Sequence, residues 1–102
     1  MKTTEVPTRH QPLYTYLCNV KTARCTPFAF AKESVGLILQ SPHLRLDMTI
    51  YLEDNEFYYQ NSKGQTRKEI CMSPADMAIQ IRLMIWWAQF KAWVRGLKKR
   101  FF

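Results

Sequence analysis

The sequence predicts an α+β domain: a helical N-terminal part, a three-stranded antiparallel meander, and a long amphipathic C-terminal helix. Three observations predict it. From Leu44 to Leu52, apolar Leu44, Leu46, Met48, Ile50 and Leu52 alternate with Arg45, Asp47, Thr49 and Tyr51, the period of a half-buried strand. Two polar turns follow at 53–56 and 61–64, close enough together to fold the next segments back as strands. From the Ser73-Pro74 start the chain changes to helical periodicity.

The 102 residues, 47% hydrophobic and 14% aromatic, suit one small domain with a real core. Residues 1–12 are polar and contain Pro7 and Pro12, so they are expected to form a flexible N-terminal arm, with the domain spanning 13–102. Leu13, Leu17 and Val20 share one helical face, whereas Tyr14, Tyr16 and Cys18 would fit alternation; a short helix over 13–20 is the expectation. Thr26-Pro27 is a cap-then-proline start, predicting a second helix through Val35 that Gly36 ends. Ser41-Pro42 breaks the chain before the strand at 44–52. The acidic turn Glu53-Asp54-Asn55-Glu56 leads into a returning strand at 57–60, and 66–71 makes the third.

The C-terminal helix is expected over 74–100. Ser73 can cap it, Pro74 sits where a missing N–H costs nothing, and Asp76 places negative charge on the positive end of the helix dipole. Two apolar faces run along it. Met77, Ala78, Ile81, Met84, Ile85, Ala88 and Ala92 form a small aliphatic face. Ile79, Leu83, Trp86, Trp87, Phe90, Trp93, Val94 and Leu97 form a large aromatic one. A membrane span is excluded, because the uncharged piece from Leu83 to Phe90 is far below the ~20 residues that a bilayer needs. The small face is expected to enter the core and the aromatic face to meet a partner. In the competing arrangement both faces are buried within the domain.

The formal charge of +7 is uneven. Residues 1–65 carry seven Lys/Arg against six Asp/Glu, and residues 66–102 carry eight against two. A basic half favours nucleic-acid phosphate, an anionic membrane surface or an acidic protein groove. Cys18, Cys25 and Cys71 make an odd count without a Cys-x-x-Cys pair, and the N-terminus lacks an apolar signal segment, so reduced thiols and a cytoplasmic location are expected.

No constellation argues for catalysis. His10, His43 and the cysteines lack the close pairing of zinc ligands. A Cys/His nucleophile pair, Cys18 or Cys71 with His43, is the kind any such composition offers by chance. Glu53, Asp54 and Glu56 sit on a hairpin turn and read as a solvated tip. The three glycines are isolated, so no phosphate-cradling loop exists. The expectation is a protein that is not an enzyme, with no metal and no cofactor.

What remains is a binding surface on the last helix. Trp86, Trp87, Phe90, Trp93 and Leu97 are the expected partner-binding residues, since aromatics dominate interface hot spots. Lys91, Arg95, Lys98, Lys99 and Arg100 are the expected contacts to an acidic partner. The first expectation is a module that binds and modulates a larger protein, of the kind found in a host nucleic-acid-processing complex. Direct nucleic-acid binding, with rings stacking on bases and cations on phosphate, is the alternative. Attachment to a membrane surface through the same helix is a third reading. In size, charge and lack of catalytic residues the chain is similar in kind to accessory proteins of phages and other mobile elements, which often modify host nuclease, recombination or transcription machines.

Overall fold

Period-two alternation governs a longer stretch of this chain than the meander alone. The computed structural model describes residues 6–31, 34–60 and 63–101. A 3-10 turn, Thr8–His10, leads into helix α1, Gln11–Cys18. Strands β1 (Arg24–Ala31), β2 (Ser34–Ser41), β3 (Leu46–Tyr51), β4 (Glu56–Gln60) and β5 (Thr66–Ile70) follow, and then helix α2, Pro74–Phe101. The strands form one antiparallel sheet in chain order. The fold is α+β, with a short N-terminal helix, an antiparallel sheet and a long C-terminal helix, but the sheet has five strands rather than the three expected.

The two additional strands replace the helix expected from Thr26 to Val35. Pro27 does not start a helix; it lies within β1, opposite Leu37. Proline fits there because β1 is an edge strand, where an absent N–H breaks no ladder bond, and it also makes that edge a poor template for another chain. Gly36 ends nothing. It lies in the middle of β2, facing Phe28 on one side and Tyr51 on the other. The opposite edge, β5, is guarded by exposed Arg67 and Lys68.

The register puts Cys25, Leu39, Met48 and Tyr59 in one row and Pro27, Leu37, Ile50 and Phe57 in the next, all on the same face. Against that face pack Leu13 and Leu17 of α1 and Met77, Ile81, Ile85 and Ala88 of α2, completing the core. Leu44 and Leu52, at the two ends of the alternating stretch, are buried just outside β3. The outer face of the sheet carries Phe28, Tyr51 and Tyr58, whose rings meet edge to face at 6.2 and 5.6 Å.

Residues 1–5 of the expected arm lie outside the described residues. Within the rest of that segment, Val6 and His10 are buried, and Arg9 forms an ion pair with Glu53. Glu56 in turn pairs with Lys68 at 2.9 Å, so two of the three carboxylates of the acidic turn have cationic partners.

Candidate interaction surface on the C-terminal helix

The start of α2 is held by its own sequence. The Asp76 N–H donates to Ser73 Oγ at 3.1 Å, and the Met72 N–H donates to Asp76 Oδ2 at 3.1 Å. These bonds satisfy backbone donors that a helix start otherwise leaves open. From there 28 residues run for about 42 Å, most of the 51 Å long dimension of the molecule.

The inner face follows the small aliphatic stripe. Met77, Ile81, Ile85 and Ala88 are buried, and Ala78, Met84 and Ala92 are partly buried against the same core. Two side chains anchor the helix at its flanks. The Arg82 guanidinium lies over the Tyr16 ring of α1 at 5.0 Å, and Arg95 Nη2 donates to the His43 carbonyl at 3.0 Å in the turn between β2 and β3. Arg95, expected to meet an acidic partner, thus holds a contact within its own domain.

The outer face is open. Ile79, Leu83, Trp86, Trp87, Phe90 and Trp93 are 41–62% exposed, whereas Val94 and Leu97, expected on the same face, are half-buried. The rings form a continuous group. Trp86 and Phe90 stack at 5.9 Å, Trp87 and Phe90 at 5.5 Å, Trp86 and Trp87 at 6.4 Å, and Phe90 meets Trp93 at 6.2 Å. Stacking of this kind holds the side chains in place before anything binds, which reduces the ordering cost of an interface. Lys91 Nζ lies 5.4 Å from the Trp87 ring centroid, while Lys98, Lys99 and Arg100 are exposed at the helix end.

Beside the aromatic group runs a groove of about 610 Å³ between α2 and the sheet, which includes Leu44, Leu46, Tyr59, Met84, Ala88 and Val94 in its lining. Trp87, Phe90, Arg45, Lys91 and Arg95 line it as well. Sequence reasoning missed this groove, because Leu44 and Tyr59 come next to α2 only through the fold of the sheet.

The remaining chemistry is sparse. Cys18 is exposed, Cys25 half-buried and Cys71 buried, so the cysteines do not share one environment. Burial pushes the Cys25 thiol up to about 12, reinforced by neighbouring Cys18. Cys71 is raised by burial and then by the negative charges of Asp76 and Glu69, which disfavours a thiolate. Its backbone N–H donates to the Asn55 carbonyl, at the β3–β4 turn, whereas His43 lies in the turn at the other end of β3. The structure therefore does not bring Cys71 and His43 together. His10 is buried and its Nδ1 has no hydrogen-bond partner; burial first, then the charge of Arg9, lowers its pKa below 6.5. Among the described residues, no three His, Cys, Asp or Glu side chains gather as a metal site, and no helix is long and apolar enough to cross a membrane.

No protein-family model, no curated protein and no solved structure matches this chain.

Proposed function

We propose that this chain is a non-enzymatic interaction module that binds another protein through the outer face of α2. The observation that carries the reading is the row of six large apolar side chains left open on a helix whose opposite face packs against the core. Soluble domains seldom leave so much contiguous apolar surface unless something covers it. Trp86, Trp87, Phe90 and Trp93 act as anchors, Leu97 extends the face, and Lys91, Lys98, Lys99 and Arg100 supply charge at its rim and end. The excess of six positive charges in residues 66–102 fits a larger acidic partner, such as a component of a nucleic-acid-processing complex.

A second reading, direct binding of single-stranded nucleic acid, is favoured by Lys91 beside the Trp87 ring and by the near-parallel rings of Trp86, Trp87 and Phe90. Salt separates the two. Binding driven by apolar burial persists as salt rises, whereas phosphate binding weakens steeply through counterion release. The test is retention of a protein partner in high salt by the intact chain and its loss with Trp86→Ala. If the chain instead shifts a mixed-sequence DNA oligonucleotide and releases it in moderate salt, the second reading replaces the first.

A further inference from the structure

The apolar positions of the α2 outer face recur with a regularity that suggests what covers them. Ile79, Leu83, Trp86, Phe90, Trp93 and Leu97 are separated by steps of four, three, four, three and four residues, the a/d seam of a coiled coil. Ile81 and Ala88, buried against the sheet, fall at the heptad position opposite that seam. The helix is therefore built to pack a sheet on one side and another helix on the other.

The seam is also complementary to itself. When two copies of α2 are laid antiparallel with a two-fold axis at residue 88, Ile79 meets Leu97 of the second copy, Leu83 meets Trp93, and Trp86 meets Phe90. These are the a-to-d layers that an antiparallel pair requires, and the larger ring at one position faces the smaller side chain at the other in the Leu83–Trp93 layer. The next layer sets Asp76 against Arg100. In a parallel pair Asp76 would face Asp76 and Arg100 would face Arg100, so charge disfavours that orientation; helix dipoles also favour the antiparallel one. Ile79, Leu83, Trp86, Phe90 and Trp93, 41–62% exposed, together with half-buried Leu97 leave on the order of 700 Å² of surface per chain, close to the ~800 Å² that each partner gives to a standard interface.

From these layers we infer that the outer face of α2 is covered by a second copy of this chain, giving an antiparallel two-fold dimer in which two sheets lie on the outside of a central helix pair. The inference rests on the reading of this face as protein-binding and assigns the face to a second copy of this basic chain in place of a larger acidic partner. It is isologous, closes on itself and leaves no unpaired copy of the seam.

The test is the mass of the intact chain by sedimentation equilibrium. At tens of micromolar it is expected to be twice 12.1 kDa. Trp86→Glu places two carboxylates in the central layers and is expected to weaken association roughly a hundredfold or more while leaving the melting transition in place. Arg100→Asp is expected to weaken it roughly tenfold, with Asp76→Arg in the same chain restoring it. Because Asp76 also accepts the Met72 N–H, the register is read independently by mixing a Leu83→Cys chain with a Trp93→Cys chain. Oxidation should then give a covalent heterodimer linked at 83 and 93 in preference to either homodimer. A single-chain mass at hundreds of micromolar overturns the dimer, as does a dimer that survives Trp86→Glu. Preferential 83–83 and 93–93 cross-links overturn the antiparallel register. If the intact chain is monomeric yet holds another protein in high salt and loses it with Trp86→Ala, the dimer falls and the protein-binding reading stands.

Discussion

The ring of Phe28 lies across the bare α-carbon of Gly36 on the neighbouring strand, so closely that a β-carbon added to Gly36 would fall 2.4 Å from Phe28 Cζ and 3.0 Å from the Ile50 carbonyl oxygen. The pair sits on the outer sheet face, with Tyr51 continuing the row from β3. An aromatic side chain thus covers backbone that glycine leaves exposed, and it closes the outer face without a second layer of helices.

Gly36→Ala is therefore expected to destabilise the protein by about 1–2 kcal/mol, although alanine is otherwise the better strand residue. In a Phe28→Ala background the same change should cost about 1 kcal/mol less. A double-mutant cycle in denaturant, measuring all four stabilities, reads this coupling directly. Independent effects at the two positions would contradict the packing described.

The two faces of α2 are expected to respond oppositely to substitution. Ile85→Asp buries a carboxylate with no partner and should cost more than about 4 kcal/mol, enough to unfold a domain of ordinary stability. Trp86→Ala should change the stability of the dissociated chain, measured at a concentration too low for association, by less than about 1 kcal/mol, since its ring is then largely in solvent. It should still cost roughly 2–4 kcal/mol of partner binding. Thermal melts beside binding measurements check this, and equal destabilisation by both variants would make the aromatic face part of the core.

Folding should depend on the charge state of His10. Its pKa is lowered in the folded state from the ordinary 6.5, mainly by burial and next by Arg9, with Glu53 acting in the opposite sense. The unfolded chain therefore binds the proton more readily. This contribution is fully present above pH 6.5 and is lost as pH falls from there through the lower folded-state value. Comparing the stability of the wild type with that of His10→Leu down to about pH 5 should show a steeper decline in the wild type.

The three thiols should react in sequence. Cys18 is exposed and should be modified first by a maleimide. Cys25, half-buried with its thiol pushed up to about 12, and Cys71, buried and raised, should resist until the domain opens. Intact mass measured against time, with Cys18→Ser as control, would show one rapid addition in the wild type and none in the variant.

Much of the architecture is a consequence of local sequence. Strict alternation from Leu44 to Leu52 produces β3 and buries every one of its apolar members except half-buried Leu46. Ser73, Pro74 and Asp76 start α2 where local capping chemistry places it, and the small and aromatic stripes on that helix separate at 3.6-residue spacing without help from the rest of the fold. Periodicity alone thus marks Ile79, Leu83, Trp86, Trp87, Phe90 and Trp93 as one exposed face, while the half-burial of Val94 and Leu97 and the Arg95–His43 contact arise only in the fold.

The tertiary structure decided what no local signal carries. Thr26-Pro27 and Gly36 have the form of helix punctuation, yet both lie in strands, because an edge position tolerates a missing N–H and a cross-strand ring covers a missing side chain. Neither condition exists until β1, β2 and β3 are paired. The choice of which α2 face turns inward also depends on the assembled sheet. Leu37, Leu39, Met48, Ile50 and Phe57 present a closely packed apolar surface. Alanine, isoleucine and methionine can approach that surface closely, while a row of three tryptophans and a phenylalanine would hold the helix away. The sequence by itself determined that α2 has two apolar faces; the finite area of a single five-stranded sheet decided that only one of them could be buried.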